Sequence, residues 1–312
     1  MKIISREDIE AIMPSLDLMR EIEEGFVAYS SGRTVVPPVG ELLLEKGEVH
    51  IKYGYIRQDK YYVIKIASGF YENPAIGLPS GNGLMLLFRQ ETGQLEGILL
   101  DEGYLTDTRT AVAGAIVARY LAPREITCIG IVGTGTQAHL QLAYLKSVTS
   151  CRKALVWGRG EAQLARYRRD MEAHGFIIDT TKSTAEILRT CNCIVTTTPA
   201  TKPLLSANDL HVGTHITAVG SDTPQKQELD PAILRDADVV VADSIRQCLV
   251  RGEIYKAIQV GCIEEEELVE LGDIISGKAT GRISDDQITV ADLTGVAVQD
   301  IKIAAAVYNA VD

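Results

Sequence analysis

The sequence predicts an α/β protein in which a parallel sheet built from alternating strands and helices is joined to a second domain of mixed α+β character. Three observations carry this. After Pro123, apolar runs of strand length alternate with helical patterns, the signature of right-handed βαβ units. Before Pro123, short runs rich in Val, Ile and Tyr follow one another with no helix between them. The chain has 312 residues, about two domains at roughly 150 residues each.

Taken in order, apolar residues at Ile9, Ile12, Met13, Leu16, Leu18, Met19, Ile22, Phe26 and Val27 recur at helical spacing, so helices are expected between Ser5 and Ser30. From about Val35 to Leu100 the runs EVHIKYGYI, YYVIKIASGF, GLMLLFR and LEGILLD, bounded by Gly, Pro and Asn, read as a partly antiparallel sheet. Thr106 or Asp107 is placed to cap a helix, TRTAVAGAIVARYLA, ended by Pro123. The strand runs TCIGIVG, KALVWG, FIIDT, CIVTTT, HITAVG and ADVVVAD then build the parallel sheet. Helical stretches are expected at 246–258 and 264–275, and a final helix from Val296 to Ala310. The expected boundaries are residues 1–120 with 293–312 for one domain and 121–292 for the other.

Composition excludes several functions. At 46% hydrophobic and 23% charged residues the chain is an ordinary globular one, neither disordered nor collagen-like. A net charge of −11 repels a phosphate backbone, so no nucleic-acid partner is expected. No apolar run reaches the roughly 18 residues of a membrane span, and the opening MKIISREDIEAIM is charged where a signal peptide is apolar. The expectation is a cytoplasmic protein with no membrane partner. The six cysteines contain no CxxC pair, and they read as reduced and structural, with no metal expected.

The strongest local motif is IVGTGTQA. Gly133 and Gly135 follow an apolar strand directly, and a helix begins near Thr136. Glycine here permits a tight turn and close approach of a pyrophosphate to free helix N–H groups, and Ala138 stands at the tolerated third position. A dinucleotide site is the functional reading, and a plain strand-to-helix turn the structural one. The next strand, ALVW, ends in Gly158 and Arg159, without the acid that usually meets the ribose hydroxyls of NAD. An arginine there suits a 2′-phosphate, so NADP(H) is favoured with NAD(H) possible; otherwise Arg159 is a solvated loop residue.

Four further positions stand out. Lys65 interrupts the apolar strand YYVIKIAS, where burial would lower its pKa and let it exchange protons near neutrality; the alternative is a snorkelling edge lysine. Arg109 falls in the first turn of its expected helix, where a cation opposes the macrodipole and calls for an anion, either a ligand or an acid such as Asp107. His50 and Lys52 share one strand face, lining an anionic pocket or facing solvent. Asp222 follows a parallel strand at its carboxyl end, where open α/β sheets bind ligands, or is a loop acid or helix cap. Glu228 and Asp230 read as helix-start residues without chemistry.

Five blocks, TDTRTAVAGAIVARYLA, IGIVGTGTQA, TTTP, VGSDTPQKQELD and DLTGVAVQD, occur in order across nearly the whole chain, and with them the sequence resembles the ornithine cyclodeaminase/mu-crystallin family. The resemblance implies a Rossmann domain plus a substrate and dimerisation domain formed by the N-terminal segment and the C-terminal helix, and a homodimer. It also implies that Lys65 transfers a proton, Arg109 binds a substrate carboxylate and Asp222 works near the substrate nitrogen. For the cofactor it points to Thr110, Gly133, Gly135, Thr136 and Gln137. Arg159, Thr197, Val219, Ser221, Lys226 and Leu293 complete that set.

Two positions depart from the family pattern. Many members carry an arginine after the segment equivalent to VVPPV, and here Gly40 stands there, which leaves His50 or Lys52 to supply a cation. Cyclodeaminases place a glutamate at or near Lys52 to receive the ornithine amine, and a lysine would repel that amine. The expected activity is therefore NAD(P)H-dependent reduction of a small 2-imino acid, or the reverse dehydrogenation of an amino acid. The alternatives are a cyclodeaminase, or a non-catalytic NADP-linked protein that holds a ligand.

Overall fold

A computed structural model of the chain describes residues 1–311. In the first third lie β1 (Lys2–Ser5), α1 (Arg6–Ile12), α2 (Leu18–Ser30), β2 (Thr34–Val35), β3 (Gly40–Leu44), β4 (Gly47–Ile56), β5 (Tyr61–Gly69), β6 (Gly81–Arg89), β7 (Leu95–Leu100) and α3 (Tyr104–Leu121). Then follow β8 (Ile129–Val132), α4 (Thr136–Leu145), β9 (Lys153–Trp157), α5 (Glu161–Ala173), β10 (Ile177–Thr181), α6 (Thr184–Thr190), β11 (Cys193–Thr196), β12 (Thr201–Leu205) and β13 (His215–Ala218). The chain continues through β14 (Gln227–Leu229), α7 (Pro231–Arg235), β15 (Val239–Ala242), α8 (Ile245–Cys248), α9 (Gly252–Gln259), β16 (Leu268–Glu270), α10 (Leu271–Ile275), β17 (Thr289–Asp292) and α11 (Ala297–Ala310).

The chain divides into two compact units, residues 1–109 with 296 onward, and residues 110–295. The first crossing falls inside α3, well before the sequence-based boundary at 120, and the second just before α11, close to the sequence-based boundary at 292.

The first unit is α+β. Its seven-stranded sheet runs β1-β7-β6-β5-β4-β2, with β3 also on β4. Only β1 and β7 pair in parallel. Helix α11 packs across β4 to β7 and against α2. Its stripe Asp300, Ile303, Ala304 and Val307, spaced i, i+3, i+4, i+7, is buried. The four expected strand runs correspond to β4 to β7. Strand β1 was not foreseen, because Lys2–Ser5 is too short to show alternation; it ends in a capping box, with Ser5 and Asp8 bonding each other's main chain.

Helix α3 starts earlier than expected. Asp101 Oδ2 accepts from Leu105 N–H at 2.9 Å, so the side chain that caps the start of the helix is Asp101, while Thr106 and Asp107 lie within its first turn. Arg109 accordingly stands in the second turn, and the macrodipole argument for it falls away.

The second unit is a doubly wound α/β domain. Eight parallel strands run β10-β9-β8-β11-β13-β17-β15-β16. Val132, Ile194, Ile216, Val240 and Val290 fill its core together with Cys128, Cys191 and Cys248. The order reverses between β8 and β11, which creates a switch point of the kind that binds ligands at strand carboxyl ends. Two expectations are corrected. Residues 264–275 form a short 3₁₀ turn, β16 and α10 rather than one helix. Glu228 lies inside β14, while Asp230 caps α7 by accepting from Ala232 N–H at 3.0 Å.

Candidate functional site

In the first unit, strand register puts Lys52, Lys65, Met85 and Leu99 in one row across β4, β5, β6 and β7. Pleating points all four to the face that α11 covers. Lys65 is 2% exposed among side chains such as Val63, Met85 and Leu87. A lysine there needs a partner, and α11 supplies it: Asp300 Oδ2 lies 3.3 Å from Lys65 Nζ, and Asp300 Oδ1 lies 3.0 Å from Arg109 Nε. Arg109 also donates from Nη1 to Gln299 Oε1 at 3.0 Å.

These contacts satisfy charge better than hydrogen bonding. Both Asp300 oxygens and Arg109 Nε are buried without a hydrogen bond of acceptable angle. Such atoms are costly to bury and ready to bond a ligand. Burial pushes the Lys65 ammonium down to about 8, with Arg109 pushing the same way and Asp300 and Asp101 opposing. Burial also raises the Asp101 carboxyl, whose Oδ1 has no hydrogen-bond partner among the described residues. A lysine near 8 can give or take a proton close to neutral pH.

His50 and Lys52 lie on the same covered face, at 9% and 6% exposure. His50 stands 3.7 Å from both Glu41 and Glu48, while Lys52 is the direct ladder partner of Lys65. Two cations are thus brought side by side, and two buried acids that the sequence reading missed, Asp300 and Asp101, stand near them. The available signal was the same one that marked Lys65: Asp300 interrupts an apolar helix pattern in GVAVQDIKIAAAV.

In the second unit the glycine turn closes at the switch point. Gly133 has φ +128°, and a Cβ there would lie 2.4 Å from Thr197 Oγ1, so only glycine fits. Gly135 precedes α4 with no side-chain cap, and an added Cβ would meet nothing within 4 Å. The first turn of α4 thus offers uncapped N–H groups beside open space, a cradle suited to a pyrophosphate. Gln137 is half-buried and Thr136 exposed at that turn. Thr110 accepts through its carbonyl from Gln141 Nε2 at 3.0 Å.

The remaining candidates lie at strand carboxyl ends. Val219 and Leu293 are anchored by main-chain bonds to Thr196 and Ala218. Ser221 Oγ donates to the Lys226 carbonyl at 2.9 Å, and Lys226 Nζ pairs with Asp222 Oδ1 at 2.8 Å. Arg251 Nη1 donates to the Asp222 carbonyl at 3.2 Å. Arg159 is exposed just past β9, and Lys182 Nζ donates to its carbonyl at 2.5 Å. The structure thus brings Lys65, Lys52 and Arg109 to one face of the first unit, and Asp222 and Lys226 to one loop of the second. Among the described residues, no three His, Cys, Asp or Glu side chains are grouped to hold a metal ion.

A parallel doubly wound sheet with an uncapped glycine turn at its switch point defines a Rossmann-type protein. The chain belongs to the ornithine cyclodeaminase/mu-crystallin family, whose profile it matches over residues 1–312. It is 41% identical over 315 residues to an uncharacterized cyclodeaminase of Sinorhizobium fredii, covering 99% of this chain and 95% of that one. Among solved structures it resembles the Delta(1)-pyrroline-2-carboxylate reductase of Thermococcus litoralis in complex with NADH and L-proline, at TM-score 0.93 and 28% identity, covering 99% and 97%. It also resembles an archaeal alanine dehydrogenase dimer with bound NAD, at TM-score 0.91 and 34% identity, covering 99% and 95%.

Proposed function

We propose that this protein is an NAD(P)-dependent oxidoreductase that interconverts a small 2-imino acid and the corresponding 2-amino acid. The observation that carries the reading is the buried set Lys65, Asp300 and Arg109, in which a lysine held near 8 shares one carboxylate with a guanidinium. Arg109 takes the substrate carboxylate, for which its planar donors are suited. Protonated Lys65 gives a proton toward the imino nitrogen in reduction, and neutral Lys65 accepts one in amine oxidation. Asp300 holds both cations at their stations. Asp222 is assigned the stabilisation of positive charge on the substrate nitrogen.

The glycine cradle fits a dinucleotide: Gly133, Gly135, Thr136 and Gln137 are the residues to hold its pyrophosphate, with Thr110, Thr197, Val219, Ser221, Lys226 and Leu293 beside it. When bound, the nicotinamide supplies or takes the hydride. Both solved relatives named above hold NAD or NADH, whereas Arg159 at the end of β9 supports a preference for NADP(H). Titrating NADH and NADPH separately before and after Arg159→Ala tests that preference, and equal weakening of both removes it.

The fold also supports a homodimer. Opposite α11, the sheet presents the row Ile3, Ile98, Leu86, Ile64 and Tyr53, set by register across five strands. Ile3, Ile51 and Tyr53 are exposed on that face. An apolar surface of this extent suits a second copy.

The S. fredii relative keeps a cyclodeaminase in view as a second reading. Lys52 beside Lys65 weighs against it, because a substrate bearing a further amine would meet two cations. The deciding experiment mixes purified protein and NADH or NADPH with imines formed from pyruvate, glyoxylate or oxaloacetate and ammonia or methylamine, and with cyclic ketimines. Oxidation of the dinucleotide by one of them is expected. No oxidation by any overturns the proposal, and ammonia release from ornithine without net NADH production establishes the second reading.

A further inference from the structure

The sequence pattern marks Glu228 as a helix-start residue, yet it is completely buried in β14. Its carboxylate accepts three hydrogen bonds: from Thr196 Oγ1 at 2.7 Å, Thr198 N–H at 2.6 Å and Gly220 N–H at 2.9 Å. Thr196 ends β11, and Gly220 lies just past β13, its neighbour in the parallel sheet. One side chain therefore ties together the carboxyl ends of two adjacent strands beside the switch point. Thr197 lies between two of the tied residues, and Val219 and Ser221 flank the third.

The space around this knot is full. A Cβ on Gly220 would lie 2.3 Å from the Thr198 carbonyl and 2.5 Å from Glu228 Oε2. Glu228 is itself fixed from behind, because Glu253 Oε1 accepts from its N–H at 2.6 Å and Glu253 Oε2 from Leu229 N–H at 3.2 Å. Glu253 is 1% exposed, so the support comes from a second buried acid rather than from a mobile surface group.

We infer that Glu228 is the positioning residue of the dinucleotide site, holding the strand-end loops so that Thr197, Val219 and Ser221 keep the places a dinucleotide requires. The inference rests on the dinucleotide reading above. Burying a carboxylate is expensive, and three donors from two loops repay that cost only while both loops stay in place. Glu228→Gln keeps the shape but replaces one acceptor oxygen with a donor that faces N–H or O–H groups.

The test titrates NADH and NADPH into the wild type and Glu228→Gln by fluorescence, with a thermal melt of each free protein and steady-state kinetics in both substrates. Glu228→Gln is expected to weaken dinucleotide binding about tenfold or more, the usual scale for lost charged hydrogen bonds. The dinucleotide KM should rise while kcat and the imino-acid KM stay within about twofold. A purely structural role would instead lower the melting temperature and the active fraction at unchanged KM, and that result, or unchanged affinity, overturns the inference. Should Glu228→Gln fail to fold, Thr196→Val removes a single donor, and unaltered dinucleotide affinity in that variant overturns it equally. Wild-type protein that binds neither dinucleotide refutes the underlying function, whereas wild-type binding with indifferent variants refutes only the role of Glu228.

Discussion

Asp300→Asn removes a carboxylate that lies 3.3 Å from Lys65 and 3.0 Å from Arg109 while keeping the side chain's size. An opposite charge at such distances shifts a pKa by roughly 1 to 3 pH units, so losing it should bring Lys65 from about 8 to about 6. At pH 7.5 the protonated fraction then falls from about three quarters to about 3%, a slowing of imine reduction by roughly 25-fold. Leaving a buried cation unpaired costs about 3 to 5 kcal/mol. Shedding the Lys65 proton relieves part of this, so a loss of stability near the lower figure is expected. The assay is kcat/KM for imine reduction from pH 5 to 9, with thermal melts alongside. An alkaline limb that stays at the wild-type position, or moves upward, refutes the claim that Asp300 sets the Lys65 proton.

In the wild type, reduction should decline as pH rises through about 8 while amine oxidation climbs over the same range, and parallel profiles would exclude Lys65 as the proton carrier. The same shift affects stability: the folded pKa lies below the ordinary 10.5, so the unfolded chain binds more protons between about 8 and 10.5 and this group's contribution to stability should grow with pH there. Comparing urea midpoints of wild type and Lys65→Met across that window isolates it, and equal slopes would disprove it. Gly133→Ala places a Cβ 2.4 Å from Thr197 Oγ1 at φ +128°; a stability loss of about 1 to 3 kcal/mol is expected with weaker dinucleotide binding, and a variant that titrates like the wild type would contradict the cradle. Ile64→Asp puts a charge at the centre of the open sheet face; light scattering should show a two-chain species becoming single chains, and an unchanged two-chain mass would place the interface elsewhere.

Much of this protein is written locally. The glycines of IVGTGTQA follow a strand and open a helix because only glycine tolerates φ +128° against Thr197, and that requirement can be read without knowing where Thr197 lies. Lys65 is legible for a similar reason, since a charge that interrupts the apolar run YYVIKIAS is costly on whichever face packing covers. The alternation after Pro123 dictates a parallel sheet because helices must cover both faces of apolar strands. What the chain could not reveal alone depends on groups far apart in sequence. Asp300 meets Lys65 only because α11 returns across β5, and Glu228 gains its donors only where β11, β13 and β14 come together. Local patterns report where an acid is buried; which cation or N–H group neutralises it is decided by packing, because electrostatic partners are chosen by distance in space rather than by separation along the chain.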